Sequence, residues 1–189
     1  MRMPPAFRVL LVAALALLLA ACSSAPTIRS ERDAGAEFSR YATFGFFETV
    51  GTDRAGYETL VTQALKAATR REMEARGYRY ADGGADLLVN FNAQLADKVD
   101  IVPPPPPPVP ASEYYGYRSY VTWRDYGVIV DQYQEGTLNI DVVDARQQRL
   151  IWEGVAIGRV TEKVQRNRAQ AIDRAVTEIF RSYPLPARP

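Results

Sequence analysis

Read for the spacing of its apolar positions, the chain divides into stretches of two different periods. Thr27 to Arg32 suits a short strand, and the Asp33-Ala34-Gly35 that follows is turn chemistry. Phe38 to Phe47 is rich in aromatic residues and Thr. Ala42, Phe44 and Phe46 would take one side of a pleat, with Tyr41, Thr43 and Phe47 toward the other, so this stretch predicts a strand. The period then changes: Tyr57, Leu60, Val61, Ala64, Leu65, Ala68 and Met73 fall on one helical stripe opposite Glu58, Thr62, Lys66, Arg70 and Glu74, which predicts a helix over 57–76. Gly77 is its expected C-terminal stop. Arg70, Arg71 and Arg76 suit the negative end of its dipole, where they would be solvated.

Strict alternation returns at Asp86 to Asp97. Leu87, Val89, Phe91, Ala93 and Leu95 interleave with Leu88, Asn90, Asn92, Gln94 and Ala96, which predicts one covered face and one wet amide face. Pro103 to Pro108 cannot join a sheet, and Tyr114, Tyr115, Tyr117, Tyr120, Trp123 and Tyr126 crowd behind it. This loop, 103–127, is either a surface excursion or a partner-binding segment. Val128 to Tyr133, Thr137 to Asp144 and Arg149 to Val160 read as three further strands, with turns at Glu135-Gly136 and at Asp144 to Gln148. In the last of these, Gly154, Ala156 and Gly158 share a side with Trp152 and would let a helix approach closely. A second amphipathic helix is expected from about Glu162 to Tyr183, on Ala169, Ile172, Val176, Ile179, Phe180 and Tyr183, with Pro184 ending it. The sum is an α+β fold: a mostly antiparallel sheet of about five or six strands, with two amphipathic helices packed on one face.

Ahead of this domain runs a different pattern. Val9 to Ala21 is continuously apolar, follows Arg2 and Arg8, and ends in Leu19-Ala20-Ala21-Cys22. Thirteen residues are too few for a span, which takes about 20, whereas a basic start, a short apolar core and small residues make a secretory signal. Leu-Ala-Ala-Cys resembles a bacterial lipobox, which implies cleavage between Ala21 and Cys22 and acylation of Cys22. Acyl chains anchor a protein durably when two or more are present. Ser23, where an aspartate would favour retention in the inner membrane, implies the periplasmic face of the outer membrane. The expected organisation is a signal over 1–21, a tether over 22–26, one domain over 27–183 and a tail over 184–189.

Composition narrows the chemistry. There is no histidine and only one cysteine, which removes the Ser-His-Asp and Cys-His constellations, the usual zinc and copper ligand sets and any disulfide. Without Arg2 and Arg8 the chain carries 21 Lys and Arg against 22 Asp and Glu. Near-neutrality argues against nucleic acid, whose phosphates call for clustered basic residues. No cofactor or metal is expected, and no enzymatic activity. The remaining acids, Asp131, Glu135, Asp141, Asp144 and Glu153, would ordinarily serve turns and solubility.

The ordered set of segments carries a resemblance. The lipobox, Phe38-Ser39-Arg40-Tyr41-Ala42-Thr43-Phe44, Arg76-Gly77-Tyr78 and Ala85-Asp86-Leu87-Leu88-Val89 are followed by Glu135-Gly136-Thr137-Leu138-Asn139-Ile140-Asp141-Val142-Val143-Asp144. Leu150-Ile151-Trp152-Glu153-Gly154-Val155-Ala156 and a terminal helix complete it. Together they resemble the DUF4136 family of bacterial lipoproteins, a domain of unknown function. The resemblance implies two helices on an antiparallel-rich sheet and an envelope location, and brings no catalytic residue. The leading expectation is a non-catalytic binding or structural lipoprotein whose partners are the membrane and envelope proteins or peptidoglycan. The alternatives are a small-molecule or lipid carrier with a pocket beneath its helices, and a carboxylate-dependent glycan hydrolase.

Overall fold

Alternation along the chain becomes a six-stranded sheet in the computed structural model, which describes residues 25–102 and 129–185. The signal, Ala21, Cys22, Ser23, the proline run and Tyr114, Tyr115, Tyr117, Tyr120, Trp123 and Tyr126 lie outside the described residues. The elements are β1 (Thr27–Arg32), β2 (Thr43–Phe46), α1 (Leu60–Ala75), β3 (Arg79–Tyr80), β4 (Leu87–Val102), β5 (Ile129–Asp144), β6 (Arg149–Arg159), α2 (Glu162–Arg166) and α3 (Arg168–Phe180). Spatial order is β1-β6-β5-β4-β2-β3. The β1–β6, β6–β5 and β5–β4 pairs are antiparallel, while β2 runs parallel to both β4 and β3.

One sheet face is dry. Phe44, Leu87, Val89, Phe91, Ile140, Val142 and Trp152 are all buried there, in one cluster with Leu65 and Met73 of α1 and Val176, Ile179 and Phe180 of α3. The glycine expectation holds at Gly154, where a Cβ would lie 2.3 Å from Ile179 Cγ2 and 2.5 Å from Trp152 Cη2. Gly158 instead faces Pro26 at ordinary contact distance. Gly77, at φ +92°, caps α1 by donating to the Glu74 carbonyl while Tyr78 donates to that of Met73, as the left-handed stop requires.

Several expectations need correction. The stretch 38–47 is not one strand: Phe38–Arg40 is a 3-10 turn, and β2 starts at Thr43, where Asp86 Oδ2 accepts from Ala42 N, Thr43 N and Thr43 Oγ1. The first helix begins at Leu60, because Thr59 caps it through the Thr62 amide and a tight turn at Ala55 and Gly56 precedes it. Leu60 and Tyr57 therefore leave the buried stripe and are 83% and 60% exposed. Glu135-Gly136 makes no turn. The β4–β5 register runs unbroken from Leu87↔Asp144 to Val102↔Ile129, so two expected strands are one. The terminal helix breaks at Asn167, whose backbone (φ −117°, ψ 44°) is not helical, giving three helices instead of two. Arg76 is buried, not solvated: Nη1 donates to the Glu72 carbonyl and carboxylate and Nη2 to the Phe180 carbonyl, tying α1 to the end of α3.

Candidate functional site

Among the described residues, two surfaces of the sheet are not covered by helices. On the wet face, the alternation in β4, β5 and β6 sets Asn90 opposite Asp141 and Asp141 opposite Glu153, and β1 adds Glu31 opposite Glu153. Residues directly opposite on antiparallel strands share a face, so this is a row of three acids ending on an amide. Asn90 and Asn92 donate to Asp141 Oδ2 at 3.4 and 3.2 Å, and Asn139 donates to Glu153 at 2.9 Å. Burial chiefly, and then the neighbouring Glu153, push the Asp141 carboxyl above the ordinary carboxylate range against the pull of the two amides. Beside it lies a groove of about 420 Å³ floored by Phe47, Leu88, Val143 and Leu150, with Asn90 and Asp141 at its polar end.

The second surface is an arm. β6 leaves β5 at Glu135, and β2 leaves β4 at Val89, so Ala96–Val102 and Ile129–Gln134 continue as a two-stranded ribbon beyond the covered sheet. Seven residues at about 3.3 Å each extend it by roughly 23 Å. The row that is core at Leu87, Val89 and Phe91 continues along this ribbon through Leu95, Asp97, Val99 and Ile101, so one acid breaks its apolar run, and Val130 stands opposite Ile101. Those four apolar side chains are 53 to 69% exposed. On the other side of the ribbon, Asp100 stands opposite Asp131. Arg159 reaches from the end of β6 to both, at 2.8 and 2.7 Å, lying 3.7 Å over the Tyr133 ring. One guanidinium thus bridges two facing acids and ties the ribbon to the sheet. Lys98 lies 3.6 Å from Glu135 on the same side.

The five acids singled out from sequence separate clearly. Asp131 and Glu135 are ion-paired as above. Asp144 is buried and held well below the usual carboxylate range, first by the Gln147 amide in the turn, then by the Tyr41 hydroxyl, the Arg146 amide and Arg40. Only Asp141 and Glu153 face each other on an open surface. The structure adds residues that sequence did not single out: Arg159 and the apolar row of the arm. Alternation through Val99 and Ile101 was a signal for that row, but it continues past the residues taken as the strand's end. Among the described residues, no group of three potential ligands is arranged to hold a metal ion, and no helix is long and apolar enough to cross a membrane.

Residues 28–185 match the family model described as a domain of unknown function, DUF4136. Among solved structures, a DUF4136 family protein from Bacteroides thetaiotaomicron aligns with a TM-score of 0.52 at 19% identity, covering 86% of this chain and 97% of that one. A PDZ domain protein from Parabacteroides distasonis aligns with a TM-score of 0.54 at 11% identity, covering 94% of this chain and 40% of that one. These likenesses are of fold. No curated protein matches the sequence closely enough to count as a relative.

Proposed function

The chain belongs to the DUF4136 family, and from that premise we propose a non-catalytic binding or structural role in the cell envelope, with the β4–β5 arm as the working surface. In this reading lipid on Cys22 holds the domain at the periplasmic face of the outer membrane, and β1 starts at the arm's end of the sheet, with Pro26 against Gly158. The observation that carries the reading is the uncovered apolar row of the arm. A two-stranded ribbon is marginal by itself in water, and exposed apolar rows continuous with a core mark contact surfaces. In-cell crosslinking of the full chain tests it, comparing the natural protein with the triple variant Leu95→Ser, Val99→Ser, Ile101→Ser. Crosslinked species that disappear in the variant, while its melting temperature is kept, support the reading. An unchanged pattern removes it.

A carrier role draws support from one observation, the groove beside Asp141, and not from the space beneath the helices. That space is filled by Phe44, Phe91, Trp152 and Phe180. A hydrophobic fluorescent probe whose signal falls with Leu88→Asp would favour the carrier. A glycan hydrolase would have to use Asp141 with Glu153; sugar release lost in Asp141→Asn would favour that reading instead.

A further inference from the structure

Among the described residues, the outer side of β4 has no strand against it beyond Val89. Gly51 sits against Phe91 and Asn92 and shields the edge there. From Ala93 to Val102, no backbone hydrogen bond to a third strand is formed among the described residues. An edge of this length, with Leu95, Val99 and Ile101 along it, is a template for another strand unless a bulge, a proline or charged side chains block it. Among its described residues, β4 has no bulge or proline but carries Asp97, Lys98 and Asp100.

Its charges say which strand fits. We infer that two copies of the chain pair antiparallel through the outer edges of β4, about a two-fold axis at Val99. This deepens the proposed binding role of the arm by naming its partner. In that register Lys98 stands opposite Asp100 of the second copy twice over, and Val99 opposite Val99. Leu95 of each copy lies diagonal to Ile101 of the other, within reach for large side chains. Moving the axis one residue either way sets Lys98 against Lys98 or Asp100 against Asp100, and like charges directly opposite are destabilising. Asp100 gives only Oδ2 to Arg159, so Oδ1 is open to the second lysine. The contact is isologous and closes on itself, which limits it to a dimer.

Residues facing each other on antiparallel strands have Cα atoms about 4.5 to 5.5 Å apart, within the range a disulfide accepts. The test uses the full-length lipoprotein in detergent, with the unsubstituted chain, whose only cysteine is Cys22, as the blank. Val99→Cys is expected to form a disulfide-linked dimer on oxidation, while Ile101→Cys, facing Asp97 of the other copy, links at least tenfold less. Lys98→Glu should abolish the Val99→Cys link and Lys98→Glu with Asp100→Lys should restore it. Melting curves confirm that each variant is folded. Equal linking at 99 and 101, or a link indifferent to charge, overturns the inference. If Val99→Cys stays monomeric while the triple serine variant still loses its crosslinks, the arm binds something other than its own copy. If neither responds, the arm has no binding role.

Discussion

At the scale of single residues, the informative positions are those where space or solvent leaves no alternative. Gly154 is one. A methyl there would sit inside contact distance of both Ile179 and the Trp152 ring, and extra volume in a packed core costs about 1–3 kcal/mol. Gly154→Ala should lower the unfolding free energy by that amount in a urea titration, while Gly158→Ala, at 3.4 Å from Pro26 Cβ, should be close to neutral. Asp141 is another. Its carboxyl titrates above the ordinary range in the fold, so it adds stability only while protonated, below its unfolded pKa, and that contribution is lost as pH rises through the folded value. Asp141→Asn is therefore expected to melt higher than the natural chain at pH 7, with the difference vanishing near pH 3. Asp144 and Asp86 act in the opposite sense. Both are held low, Asp86 first by the Ala42 amide, so their contributions are present at neutral pH and lost as pH falls through the folded values. Melting curves across pH 3 to 7 read the two signs separately.

At the scale of elements, the β4–β5 hairpin governs what the domain offers. Sixteen residues on each strand are more than the helices can cover, so the outer part depends on cross-strand pairs and on Arg159. Removing that guanidinium leaves Asp100 and Asp131 facing each other unbridged. The ion pairs are exposed, so Arg159→Ala should change global stability by less than about 1 kcal/mol. Hydrogen exchange should nonetheless speed up at the amides of 96–102 and 130–134 and not in β1 or the covered part of β4. Uniform change, or none in the ribbon, would show that the clamp is idle. The element periods were legible in the chain: β1, the first half of β4, β6 and the two long helices follow the alternation and stripes of their residues. The reading fails where a local turn signal meets a longer pairing. Glu135-Gly136 is turn-like by type, yet Gly136 is needed flat in the sheet, where a Cβ would come within 2.9 Å of Val160 Cγ2.

At the scale of the molecule, the proposed anchor and the proposed arm sit at different parts of one chain and are separable by mutation. Cys22→Ala should move the protein from the membrane fraction to the soluble fraction after a carbonate wash, with the melting temperature of the domain unchanged. Retention on membranes would remove the lipid-anchor proposal. What the residues determine unaided is what local physics sets: periodicity along a strand or helix, the stop at Gly77, the turn at Asp144, and the missing histidine that closes whole classes of chemistry. Long-range pairing decides the rest, because neighbours a hundred residues apart leave no mark on local spacing. Only the folded sheet brings Asp141 beside Glu153, buries Arg76 against the end of α3, runs β2 parallel to β4, and, among the described residues, leaves the β4 edge from Ala93 onward without a neighbour.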